Sequence, residues 1–245
     1  MTPSPTGHIV AMGGGGFSME PENRLLDDFV LSLARNTPAR VCFLPTASGD
    51  SPAYVASFYR ALCRRCLATD ITLVDSALPR SPGRTDELAA VVRDQDVFYV
   101  GGGSTANLLA LWRAHGLDVL LRNAWTSGAV LCGVSAGMIC WFRASVTDSF
   151  GGLAPLHDGL SFLEGSACPH YDGEVGRRPA FHRAVADGMP AGFAADDGAA
   201  LHFAGADFVE AVSSRANARA YRVERNGNQV IEQVLPTRYL GAGAT

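Results

Sequence analysis

Ser135 stands at the centre of Gly133-Val134-Ser135-Ala136-Gly137, a Gly-x-Ser-x-Gly run with apolar sequence on both sides. Residues 128–132 read as a buried strand, and residues 138–142 read as the start of an apolar helix. Between strand and helix this pattern is a nucleophile elbow, a turn so tight that only small residues fit two positions either side of the serine. The helix beyond it is expected to offer unpaired backbone N–H groups and a positive dipole end to a developing oxyanion. A plain Gly/Ser turn is the competing reading.

A serine nucleophile needs a base, an acid that orients the base, and oxyanion donors. Gly101-Gly102-Gly103-Ser104-Thr105 follows one apolar run and opens a helical one. Its glycines let a backbone N–H approach a substrate oxygen without a Cβ in the way. Gly103 and Ala136 are therefore the expected donors. Six histidines could serve as base: His8, His115, His157, His170, His182 and His202. His170 differs from the rest because Cys168-Pro169-His170-Tyr171-Asp172-Gly173-Glu174 is a Pro/Gly-bounded loop dense in functional side chains. Two carboxylate sites could orient it, Asp148 and the Asp196-Asp197-Gly198 turn.

Other chemistries fit less well. The run Gly13–Gly16 suggests a dinucleotide loop, but Ser18 stands where the third glycine of Gly-x-Gly-x-x-Gly belongs. His170, Asp172 and Glu174 could hold a metal, yet no His-Glu-x-x-His or paired-cysteine motif supports one. Cys63-Arg64-Arg65-Cys66 has redox or zinc spacing without a second pair. No metal or cofactor is called for.

The elements that must position these groups alternate in the first 150 residues, as in a parallel sheet covered on both faces. Strands are expected at residues 8–12, 40–44, 70–74, 96–100 and 129–132, and helices at 21–34, 52–66, 86–93 and 104–115. Beyond residue 150, short strands at 201–203, 208–212, 220–225 and 229–234 suggest an antiparallel extension, with Asn226-Gly227 as a hairpin turn. The expected fold is three-layer α/β/α with a mainly parallel sheet, in one domain spanning 1–245.

A net charge of −4, with no basic cluster among aromatics, argues against a nucleic-acid binder. All basic residues are arginine, as in a GC-rich genome. The six cysteines lie mostly inside apolar runs, which suits free thiols in a reducing cytosol. No signal region opens the chain and no apolar run reaches membrane-spanning length, so a cytoplasmic protein is expected.

With the Gly101-Gly102-Gly103-Ser104-Thr105, Gly133-Val134-Ser135-Ala136-Gly137 and Cys168-Pro169-His170-Tyr171 motifs in that order, the chain resembles the peptidase E and cyanophycinase family of serine peptidases. Those proteins are similar in fold to class I glutamine amidotransferases. The resemblance implies Ser135 as nucleophile, His170 as base, and Gly103 and Ala136 as oxyanion donors. It leaves two acids: Asp148, near the position used in peptidase E-like sequences but two residues short of it, and Asp197, at the cyanophycinase-like distance from the histidine. Asp197 is favoured because its spacing needs no gap. In peptidase E an arginine after the histidine recognises the substrate's N-terminal aspartate. Here Ala180 falls at that position and Arg177 or Arg178 is left to substitute, so strict aspartate preference is not expected. The implied activity is hydrolysis of short peptides, as a dipeptidase or aminopeptidase, with a homodimer as the family's habit. The rivals are a cyanophycinase-like hydrolase of β-aspartyl peptides, an amidotransferase-like acyl transfer, and a non-catalytic α/β binding protein.

Overall fold

The computed structural model describes residues 6–74 and 84–242. Four apolar runs form a parallel core: β1 (His8–Met12), β2 (Arg40–Leu44), β4 (Val97–Val100) and β5 (Val130–Val134). With β3 (Leu67–Asp70) at the edge they lie in the order β1-β5-β4-β2-β3, all parallel. Successive side chains on a strand point to opposite faces, and both faces are covered. Val10, Met12, Val41, Phe43, Val97 and Tyr99 pack with Phe17, Leu26 and Phe58, from α1 (Gly16–Met19), α2 (Leu25–Ser32) and α3 (Pro52–Leu62). Ile9, Ala11, Cys42, Leu44, Phe98 and Val100 pack with Leu108, Trp112, Leu117 and Leu121. These come from α5 (Thr105–His115) and α6 (Leu117–Thr126); α4 (Arg84–Arg93) precedes β4. This is the expected three-layer arrangement.

The third strand lies three residues earlier than its apolar content suggested. Arg40 pairs with Leu67 and Phe43 with Asp70, so the strand ends where the apolar run begins. Beyond it, the Asp50 carboxylate takes the N–H groups of Leu73 and Val74, which removes them from any ladder.

Downstream of the elbow the chain builds more than an antiparallel extension. A second, six-stranded sheet starts at once with β6 (Phe142–Thr147), followed by β7 (Ala154–Leu156), β8 (Leu163–Cys168) and β9 (Gly192–Ala195). β6, β8 and β9 are parallel neighbours, and α8 (Arg177–Ala186) packs on them through Phe181 and Val185. The C-terminal antiparallel strands divide between the sheets. β10 (Ala199–Ala204) and β11 (Asp207–Ser213) extend the first sheet beyond β1; β12 (Ala220–Asn226) and β13 (Gln229–Leu235) extend the second beyond β9. A last short strand, β14 (Thr237–Tyr239), runs parallel to β11. The two sheets meet through aromatic rings, with Phe142 and Phe193 of one against Phe203 and Phe208 of the other. Among the described residues, no helix is long and apolar enough to cross a membrane.

Candidate active site

The serine sits where the main sheet delivers it. β5 ends at Val134, Ser135 takes φ 58° and ψ −109°, and a single helical turn, α7 (Ala136–Ile139), follows. A non-glycine residue at positive φ stores backbone strain of about 1–3 kcal/mol, which the surrounding structure must hold in place. The flanking glycines show how. A Cβ on Gly133 would lie 2.6 Å from the Gly137 carbonyl oxygen, and one on Gly137 would run into the Val100 carbonyl. Every residue from Gly128 to Phe142 is buried except Ser135. The helix after the elbow is shorter than expected, because the chain leaves it for β6 at Phe142. One turn carries little macrodipole, so its contribution to an oxyanion rests on its free N–H groups.

His170 arrives from the second sheet. β8 ends at Cys168, Pro169 turns the chain, and His170 adopts φ 51°. Its backbone N–H donates to the Gly13 carbonyl at 3.2 Å, while the Ser135 N–H donates to the Met12 carbonyl at 3.1 Å. Serine and histidine, 35 positions apart in the chain, are thus pinned to consecutive residues at the end of β1. No hydrogen bond joins the Ser135 hydroxyl to the imidazole among the described residues.

The other face of the ring is engaged. Nδ1 of His170 lies 2.6 Å from Oδ1 of Asp197, with both side chains mostly shielded from solvent. Asp197 follows β9, bridges to Gly14, and receives further support where Asp172 accepts its backbone N–H at 2.8 Å. Its carboxylate occupies the space that side chains on Gly14 and Gly173 would need. Within the Gly13–Gly16 run, Gly14 makes room for the Asp197 carboxylate, a role its composition alone did not reveal. Asp196, one residue earlier, points the opposite way. It accepts from the Arg219 N–H at 2.9 Å and the Tyr221 hydroxyl at 3.2 Å, and burial raises its carboxyl to about 6.

The glycine triplet closes the site beside the serine. A Cβ on Gly102 would stand 3.5 Å from the Ser135 Cβ, in ordinary contact. Gly103 has φ 136° and backs onto the Ala47 carbonyl, a conformation and a space that both exclude side chains. The Gly102 N–H donates to the Tyr54 hydroxyl at 3.3 Å. The N–H groups of Gly103 and Ala136 have no backbone acceptor among the described residues.

The remaining site candidates lie elsewhere. Asp148 pairs with Arg177 at 3.4 Å, with more than half its side chain exposed, so Asp197 and not Asp148 meets the imidazole. Arg177 is buried, and its guanidinium is taken by Glu174 at 2.7 Å, Asp148 and the Val146 carbonyl. Arg178 forks onto Glu232 and stacks over Tyr171 and Tyr221 at 5.0 and 4.9 Å. Arg177 is thus engaged by carboxylates and shielded from solvent, whereas Arg178 keeps about half of its side chain exposed beside Glu232. Among the other histidines, His8 and His202 face each other at 3.0 Å, and His182 meets Glu232 at 2.7 Å. The cysteines nearest the elbow, Cys132 and Cys140, are fully buried, and burial pushes both thiols well above their ordinary range. Such thiols are poor nucleophiles. Among the described residues no group of three or more His, Cys, Asp or Glu could hold a metal ion.

Known proteins resemble this chain in sequence and in fold. The uncharacterized peptidase YgaJ of Bacillus subtilis (strain 168) is 50% identical over 234 residues, covering 95% of this chain and 99% of that one. Among solved structures, a peptidase from an acI-B1 Actinobacterium superposes with a TM-score of 0.70 at 17% identity, over 96% of both chains. A candidate peptidase E of Listeria monocytogenes EGD-e gives 0.58 at 19% identity, over 94% of this chain and all of the other. At those identities the two structures speak for the fold alone. The sequence model of peptidase family S51 matches residues 9–211, a span that runs from β1 into β11 and takes in the elbow, the histidine loop and Asp197. The chain belongs to peptidase family S51.

Proposed function

We propose that this protein is a serine peptidase acting on short peptides, as a dipeptidase or aminopeptidase, with Ser135 as nucleophile, His170 as base and Asp197 as the orienting acid. The observation that carries the reading is the shared anchor: Ser135 and His170 hang from the adjacent carbonyls of Met12 and Gly13, with the imidazole already fixed on Asp197. Asp197 holds the proton on Nδ1, which leaves the Nε2 lone pair to take the serine proton as Oγ attacks the peptide carbonyl. The N–H groups of Gly103 and Ala136 receive the oxyanion. The imidazolium then protonates the leaving amine, and water resolves the acyl-enzyme by the same base. A positioned base of this kind is worth roughly 10²–10⁴ in rate, and an oxyanion donor about 10²–10³. The reaction calls for no metal. All six cysteines are free thiols, consistent with a cytoplasmic setting.

The test is a dipeptide library scan with wild type and Ser135→Ala, alongside labelling with a fluorophosphonate probe. Hydrolysis and labelling are expected in wild type and lost in the variant. A folded wild-type protein that neither labels nor cleaves overturns the reading. A cyanophycinase-like activity is the second reading, favoured by one observation: the carboxylate on His170 is Asp197, at the cyanophycinase-like distance from the histidine. Cleavage of cyanophycin without cleavage of any dipeptide would select it.

A further inference from the structure

The middle glycine of the loop beside Ser135 spends its N–H on a residue outside every sequence motif. Gly102 donates to the hydroxyl of Tyr54, in the first turn of α3, at 3.3 Å. The tyrosine ring is fixed on several sides. It meets Phe43 edge-on with centroids 5.0 Å apart and Phe17 at 5.7 Å, and a side chain on Gly101 would strike its Cε1 at 2.7 Å. Ser18 stands beside the phenol, and the Ser18 hydroxyl donates to the Gly15 carbonyl at 3.4 Å. Tyr54 therefore lies between the two glycine loops of the site. One carries Gly103 past the serine; the other holds His170 through Gly13 and makes room for Asp197 at Gly14. Burial raises the phenol above its ordinary range, so it stays protonated and can accept from Gly102 while donating onward.

Peptide planes between glycines rotate at little steric cost, so consecutive N–H groups of the triplet compete to face the substrate. Resting on the peptidase reading above, we propose that Tyr54 is a positioning residue: its hydroxyl oxygen holds the Gly102 N–H inward, so that the Gly103 N–H, with that of Ala136, faces the carbonyl oxygen under attack. An ordinary hydrogen bond biases such a choice by about fivefold or more.

The experiment compares the second-order rate of fluorophosphonate labelling at Ser135 in wild type and Tyr54→Phe, a change that keeps the ring and removes only the oxygen. The phosphonyl oxygen of the adduct needs the same donors as a tetrahedral intermediate. Labelling should slow by up to about fivefold. With the best dipeptide of the scan, kcat should fall by a similar factor and KM should stay within about twofold. A second reading needs no variant. In wild type, the amide resonances of Gly103 and Ala136 should move downfield on labelling while that of Gly102 stays. Unchanged labelling of Tyr54→Phe, or a downfield move at Gly102 in place of Gly103, overturns the assignment and leaves the peptidase intact. No labelling of wild type at all overturns the peptidase reading, and Tyr54's role with it.

Discussion

The carboxylate of Asp197 fills the space that a side chain on Gly14 would need. The two residues are also joined through backbone, by a parallel bridge and by the Gly198 N–H donating to the Gly14 carbonyl at 3.0 Å. A methyl group at position 14 must therefore push the acid off the imidazole or push the loop away from β10. We expect Gly14→Ala to lower kcat by about 10²-fold or more and to leave KM nearly unchanged. Loss of the orienting acid in a serine triad costs about 10⁴. Steady-state kinetics on Gly14→Ala and Asp197→Asn check this. Full activity in the glycine variant would show that the acid does not need its present seat.

The strain at Ser135 gives a stability prediction of opposite sign to its catalytic one. At φ 58° a Cβ is unfavourable whichever side chain follows, and glycine relieves it. Both Ser135→Gly and Ser135→Ala should lose activity. The glycine variant should nonetheless unfold at the higher temperature of the two, by about 1 kcal/mol once the extra chain entropy of glycine is subtracted. Calorimetry of the pair decides it. An alanine variant at least as stable as the glycine one would mean that the elbow holds no strain.

Asp27 lies under the first glycine loop, buried, accepting a hydrogen bond from the Tyr99 hydroxyl at 3.0 Å. Burial raises its carboxyl to about 6, against the opposing pull of its hydrogen bonds. A folded-state value above the unfolded one favours the native state most below the unfolded value of 3.8, and that advantage is lost as pH rises through about 6. The gap corresponds to about 3 kcal/mol at most. Denaturant unfolding of wild type and Asp27→Asn between pH 4 and 8 should show wild type losing ground to the variant across that window. Parallel pH profiles would remove Asp27 from the titration.

Arg177 is buried with its guanidinium shared among Glu174, Asp148 and the Val146 carbonyl. Replacing it with alanine removes that shared guanidinium, and breaking a fully buried pair costs about 3–5 kcal/mol. Asp148 and Glu174 keep partial access to solvent, so the lower end applies. Arg178→Ala, at a half-exposed side chain, should cost about 1 kcal/mol. Urea melts of the two variants give the ranking. A rise in KM with unchanged stability in Arg177→Ala would place that arginine in substrate binding instead.

Local chemistry made much of this protein legible. Runs such as Val97–Val100 and Val130–Val134 are apolar throughout because both faces of a parallel strand are buried, and that pattern survives without any tertiary information. The elbow was readable for a similar reason: Gly133, Ser135 and Gly137 answer to contacts within one turn and its adjoining strand. The third strand was misplaced because an edge strand buries little, so Leu67–Asp70 carries no apolar signal while the residues after it do. The second sheet escaped notice because β6 and β8 place Ser145, Thr147 and Ser166 in buried positions, and short strands of mixed polarity give no clear period.

What the sequence determined by itself was the turn at Ser135, the glycine loop before it and the histidine loop after it, each a local demand on backbone shape. The contact between Asp197 and His170, the partners of the two arginines, and the meeting of the Gly102 amide with Tyr54 come from tertiary structure. Spacing in the sequence favours Asp197 over Asp148 but cannot bring either to the imidazole. Only the meeting of two sheets at the end of β1 brings one of them to His170 and leaves the other to Arg177. Contacts between residues far apart in the chain depend on how whole layers pack, and no single segment carries that information.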